Sequence, residues 1–150
     1  MAYYHKVYVH WTDPVHINES YGLPSIEENG IYMITRKYIR NNIEWEALLY
    51  IGITTRSFYT RLSEHFKCNS NWCSAYGKKH IRLGSISIYK KSSYNLKYLL
   101  TDIESIIIQD LNNLYPCELL NIQQVASYTP HYNINITHIN NDWLEEFNPL

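Results

Sequence analysis

The chain reads as a mixed α/β (α+β) fold with a mainly antiparallel sheet. Short runs in which apolar and polar residues alternate recur along its length. Two other stretches carry apolar residues at helical spacing instead. Two of the alternating runs are joined by one short polar stretch, which reads as an antiparallel hairpin. Taken in order, Tyr4 to Trp11 is the first expected strand, with Val7, Val9 and Trp11 alternating against Lys6, Tyr8 and His10. Asn29-Gly30 is a turn signal, and Gly30 to Tyr38 is the second run. Arg40 to Glu46 is the polar connection to the third, Ala47 to Thr54. Ser57 is the expected N-cap of a helix reaching Phe66, and Cys68 to His80 reads as a loop. Ile81 to Tyr89 alternates again. Ser93 or Asn95 then caps a long helix whose apolar residues are Leu96, Leu99, Leu100, Ile103, Ile107 and Leu111. Pro116 is a stop beyond that helix, and Tyr132, Ile134 and Ile136 mark a last strand.

Length and composition bound the function. One hundred and fifty residues suit a single domain. Apolar residues at 45% and charged residues at 18% are globular values, not those of a disordered chain. The net charge of −1 excludes a uniformly basic nucleic-acid coat. No apolar run approaches the ~18 residues of a membrane span, and the first residues do not read as a signal peptide. Three cysteines, Cys68, Cys73 and Cys117, are expected to be free thiols in a reducing compartment, the cytoplasm.

The balanced charge hides an asymmetry. From Arg56 to Lys97 there are nine Lys and Arg and one acid, Glu64; beyond Lys97 there is no Lys or Arg at all. The middle of the chain can therefore present positive charge to phosphates, or simply a solvated basic face. On the long helix, Glu104 falls about 40° from Leu100, at the edge of the apolar stripe. A buried carboxylate needs a partner. Helix geometry alone leaves it as an ion-pair member, with Arg61 the candidate, or as a metal ligand or general base. On the shorter helix, Arg61 and His65 lie four apart along the edge of the Phe58, Leu62 and Phe66 stripe. They are either surface neighbours or a phosphate site. His65, Cys68, Cys73 and His80 can be written as a zinc set, but their spacing fits no common zinc finger. Trp72 and Tyr76 in the basic loop are read as packing, with base stacking the alternative.

Gly30-Ile31-Tyr32 opens one expected strand and Tyr50-Ile51-Gly52 closes the next. Arg61-x-x-x-His65 comes next in a helix, then a strand, then the helix with Glu104, then Asn121 beyond a Pro. This order resembles the GIY-YIG nuclease superfamily, over roughly Gly30 to Asn121. The resemblance implies one domain over residues 1–150, with a core at about 30–121 and extensions at 1–29 and 122–150. It implies a three-stranded antiparallel core sheet flanked by helices, to which the extensions add N- and C-terminal strands. It implies a divalent-metal-dependent DNA endonuclease, of restriction, phage or mobile-element, or repair type, with one Mg²⁺ or Mn²⁺ per active site. By position, Tyr32, Tyr50, Arg61, His65, Glu104 and Asn121 match the family's site residues, and Glu104 matches its metal-binding carboxylate.

The chemistry suits these residue types. Phosphodiester hydrolysis needs an activated water and neutralised charge on the phosphoryl and leaving oxygens. Tyr32, helped by His65, is expected as the base, with Tyr50 on the phosphate; the two tyrosine roles are exchangeable. Arg61 is expected on the non-bridging oxygens. DNA is expected to cross the face made by the Ser57 to Phe66 helix, the Cys68 to His80 loop and the start of the next strand, with Arg56, Lys78, Lys79 and Arg82 on its phosphates. The modest total charge assigns further DNA affinity to a homodimer or a partner protein. The competing reading is a non-cleaving nucleic-acid-binding module that keeps the fold.

Overall fold

The computed structural model describes residues 5–65, 78–88, 94–114 and 130–140, with the side chains of 65 and 112–114 excepted. Strand β1 is His5–Trp11, and β2 is the two-residue Val15–His16. A 3-10 helix, Ile17–Gly22, leads into β3, Gly30–Arg40, and β4, Ile43–Thr54. Helix α1 is Phe58–His65, β5 is Lys78–Ile88, α2 is Leu96–Leu114, and β6 is Ile134–Ile139.

The sheet order is β4-β3-β5-β1-β6, with β2 paired to β5. The three strands β4, β3 and β5 are antiparallel, as expected for the core. The extensions enlarge this sheet. β1 adds antiparallel to β5, and β6 adds parallel to β1. β6 is anchored from both sides. The buried Asp102 carboxylate accepts from the backbone N–H groups of His131 (3.0 Å) and Tyr132 (2.8 Å) just before it. Trp11 Nε1 donates to His138 Nδ1 within it, at 2.9 Å.

Both faces of the core strands are covered. On one face α2 packs Leu99, Ile103, Ile107, Ile108 and Leu111 onto Val7, Val9, Trp11, Ile31, Met33, Leu48 and Ile51. On the other, α1, the 3-10 helix and the turn after it pack Phe58, Leu62, Ile17 and Ile26 onto Tyr32, Ile34, Leu49, Ile81 and Leu83. The alternation along β3 and β5 thus serves two cores, with neighbouring residues pointing into opposite ones. Among the described residues, no helix is long and apolar enough to cross a membrane.

Two boundaries and one burial differ from expectation. The connection expected over Arg40 to Glu46 is only a two-residue turn. Asn41 and Asn42 both have positive φ (53° and 63°), which asparagine tolerates and which a hairpin turn of the primed type requires. The polar residues beyond the turn belong to strands, and Lys37 reaches Glu44 (3.8 Å) and Glu46 (3.9 Å) across the ladder. β5 begins at Lys78 instead of Ile81, because Lys78, Lys79 and His80 pair with Lys37, Arg36 and Thr35. Leu96, expected in the apolar stripe, is 38% exposed in the first turn of α2. Asn95 is the cap of that helix, its Oδ1 accepting from Tyr98 N–H at 3.1 Å.

Candidate active site

The site is built at the β4 edge of the sheet from β3, β4, α1 and α2. Ser57 starts α1 by accepting from Thr60 N–H at 3.1 Å. The next two amides donate to Glu28 and Ile26 carbonyls, at 2.8 Å each. These bonds satisfy the helix start from within the chain and fix its direction. With Phe58 and Leu62 buried, Arg61 is left half-buried at the edge of the stripe, above the two strands.

Tyr32 and Gly52 are directly opposed on β3 and β4. A Cβ on Gly52 would overlap the Tyr32 ring and its hydroxyl, so only glycine leaves room for this phenol. A bulge lies just beyond, at Ile34/Thr35, and it places Leu49 and Tyr50 together on the α1 face. The Tyr32 and Tyr50 rings are then near-parallel, 25° apart with centroids at 6.2 Å. Gly30, at the strand's start, has φ +148°, and a side chain there would strike the Gly84 carbonyl.

The charges around the two phenols are unequal. Arg61 Nε donates to Tyr32 Oη at 3.4 Å, and its charge also pulls the Tyr50 phenol toward ionisation. Burial nevertheless pushes the Tyr32 phenol far above its usual range, helped by the neighbouring Tyr50. Tyr50 is raised too, by burial and then by the Glu104 charge. Glu104 itself is pushed up to about 7 by burial, with Arg61 pulling it back. Among the described residues Glu104 forms no ion pair within 4 Å, so the Arg61–Glu104 pair, one of the two readings of this helix, is not made. Arg61 instead meets Glu64 at 3.2 Å. Glu64 also binds Arg56 at 2.6 and 2.8 Å. Arg56, with Arg61 behind it, holds the Glu64 carboxyl well below the carboxylate range, at about 2.

Tyr32, Tyr50, Arg61 and Glu104 therefore converge. Arg56 stands beside them on the Glu64 bridge. His65 is the last residue of α1, one turn beyond Arg61, and its side chain lies outside the described ones. Asn121, Cys68, Cys73, Cys117, Trp72 and Tyr76 also lie outside the described residues. Among the described residues no three metal-binding side chains cluster.

The expected phosphate contacts separate. Arg82 is corrected outright. It is 1% exposed, and its guanidinium pairs with Glu46 at 2.6 Å on the α2 side of the sheet. Thr35 Oγ1 donates to the same carboxylate oxygen at 2.9 Å. Position 82 is opposite Met33, so the pleat turns it into the α2-side core, away from the tyrosines. Lys78 is exposed but opposite Lys37, on that same side, so it too faces away from the tyrosines. Lys79, opposite Arg36, is on the tyrosine side. Two residues escaped the sequence reading. The Glu64 bridge had one signal, a lone acid three residues after Arg61 in a basic stretch. Glu46 had none, since its partner is 36 residues away.

Comparison with curated proteins and with solved structures gives no match. The family model of the GIY-YIG catalytic domain matches residues 28–115, more than half of the chain. That span starts just before β3, ends just after α2, and holds all four converging side chains. The chain belongs to the GIY-YIG family of nuclease domains.

Proposed function

We propose that this protein is a divalent-metal-dependent endonuclease that hydrolyses DNA phosphodiester bonds. The observation that carries the reading is the convergence of two stacked phenols, one guanidinium and one unpaired, half-buried carboxylate at a single sheet edge. A structural role alone does not account for that carboxylate, which pairs with no cation within 4 Å among the described residues. Glu104 is the residue that would hold Mg²⁺ or Mn²⁺. One carboxylate completed by substrate phosphate and water suits Mg²⁺, which is seldom caged by protein alone. A bound cation there would act as a Lewis acid on the phosphoryl and leaving oxygens.

The chain's own groups divide the remaining work. Arg61 neutralises the non-bridging oxygens, where negative charge builds in the transition state. Tyr50 is half-buried while Tyr32 has no exposed surface, so Tyr50 is the phenol that can meet an attacking water. This exchanges the two roles expected from the sequence. Tyr32 holds Arg61 in place through its hydroxyl. Water attacks phosphorus and the P–O3′ bond breaks; the water's proton is taken up by Tyr50 in its phenolate form, which has first lost its own proton to solvent, and the leaving O3′ takes its proton from solvent. Positive charge next to a phenol favours its ionised form, and Arg61 supplies that charge to both.

Plasmid and linear DNA of known sequence, incubated with Mg²⁺ or Mn²⁺, test the reading. Discrete fragments indicate a restriction-type reader. Scattered or junction-specific nicks indicate a mobile-element or repair role. Binding without any cut in either metal would mean a non-cleaving module that keeps the fold.

A further inference from the structure

The β3–β4 hairpin outruns the sheet. β3 pairs with β5 only as far as Lys37, opposite Lys78. Among the described residues, Tyr38 to Arg40 and Ile43 to Trp45 pair only with each other, as a two-stranded ribbon. Its two faces differ in charge. Lys37, Ile39, Glu44 and Glu46 share the α2 side, where Lys37 meets both acids. Arg36, Tyr38, Arg40, Ile43 and Trp45 share the other side, which is the side of Tyr32 and Tyr50. On that side Lys79 stands beside Arg36, and the described residues of the ribbon contribute no acid. The Arg36 guanidinium lies over the Tyr38 ring, 4.8 Å from its centroid. Arg40 is exposed beside the turn.

We propose that this basic, aromatic face of the β3–β4 ribbon is a contact for duplex DNA, continuous with the tyrosine site and lying along a groove away from the cut. The proposal rests on the nuclease reading. Charge selects the occupant: among the described residues the ribbon and the adjoining Lys79 put three cations and no acid on one face, in a chain whose total charge is −1. Shape agrees, because the major groove admits a two-stranded β-ribbon. Position 41 is nine residues along the ribbon from Tyr32, a reach of roughly 30 Å. At about 3.4 Å per base pair this places the ribbon tip roughly nine base pairs from the scissile phosphate. The contact is therefore one-sided and lengthens the DNA the protein needs.

Binding to mixed-sequence duplexes of increasing length, in EDTA so that no cutting occurs, tests this. Arg36→Gln/Arg40→Gln should lower the magnitude of the salt slope by up to about two, with roughly 10-fold weaker binding to long duplexes. Lys78→Gln, on the opposite face, should leave both unchanged. A second variant guards against misfolding: residues 38–45 are replaced by Asn-Gly, closing the hairpin at the Lys37–Glu46 pair. It should keep single-turnover cleavage at saturating DNA but lose the affinity that wild type gains on longer duplexes. If wild type binds and cuts DNA and both ribbon variants bind like it at every length, the ribbon proposal is wrong and the nuclease reading stands. If wild type neither binds nor cuts DNA, the nuclease reading fails and takes the ribbon proposal with it. Self-association that the shortened ribbon abolishes, with DNA binding unchanged, would make the exposed Ile39 and Ile43 a subunit contact and overturn the proposal.

Discussion

Two carboxylates reach the interior, Glu46 on β4 and Glu104 on α2, and they are held in opposite ways. Glu46 is met by Arg82 at 2.6 Å and by the Thr35 hydroxyl at 2.9 Å. That region is closed: its charges cancel, and its arginine is 1% exposed. Glu104 is also shielded from water, but within 4 Å it has no cation among the described residues, and its carboxyl is pushed up to about 7. Arg61, whose charge pulls Glu104 back, spends its hydrogen bonds on Tyr32 and Glu64. A buried acid alone is thus no sign of function. What separates the two regions is that one carboxylate is neutralised from within the chain and the other, among the described residues, meets no cation within 4 Å.

This contrast can be broken most severely at Glu46. Glu46→Ala takes the paired carboxylate from a fully buried guanidinium and should destabilise the protein by about 3–5 kcal/mol, read by urea unfolding. A cost under about 1 kcal/mol would mean that Arg82 finds another partner.

Glu104→Gln should do the reverse, and its effect should depend on pH. Well below pH 4.5 the carboxyl is protonated in both the folded and unfolded chain, and it costs nothing. As pH rises from 4.5, the unfolded chain loses the proton first and gains stability relative to the folded one. Above about 7 the penalty is complete, up to about 3 kcal/mol. In EDTA the variant should therefore melt later than wild type at pH 8 and together with it at pH 4. An earlier melt at pH 8 would show that the carboxylate stabilises the fold.

Within the site, Tyr50→Phe should slow single-turnover cleavage by about 100-fold with DNA affinity nearly unchanged, as for a lost general base. Tyr32→Phe should cost less, about 10-fold, by loosening Arg61. The opposite ranking would return the base to Tyr32.

The smallest effect belongs to the two adjacent lysines. Lys79→Gln should reduce the salt slope of DNA binding by about one, and Lys78→Gln by none, because they lie on opposite faces of β5. Equal losses would mean that DNA wraps the end of the strand.

Much of this was legible in the sequence. Helical arithmetic placed Glu104 at the edge of the core stripe, and the alternation of Val7, Val9 and Trp11 marked β1. Arg82 was misread because alternation says which face a residue takes, not whether that face is covered. In a sheet with helices on both sides, the position between Ile81 and Leu83 is also interior. Its partner was hidden in a run of polar residues that looked like a loop. The Asn41-Asn42 turn, which makes that run a strand, depends on two left-handed residues that composition alone does not distinguish from any polar connection. The Glu64 bridge needed both Arg56 and Arg61 to turn toward one side of α1, which only side-chain geometry reveals.

Glu104, on this account, is kept for chemistry and not for the fold. Plasmid cleavage by wild type and Glu104→Gln at pH 8 in Mg²⁺ or Mn²⁺, with the melting temperature of each sample recorded, tests that claim most directly. Wild type should cut, and the variant should not cut while melting at the same temperature or higher. A variant that cuts at the wild-type rate, or that is unfolded under these conditions, would contradict it.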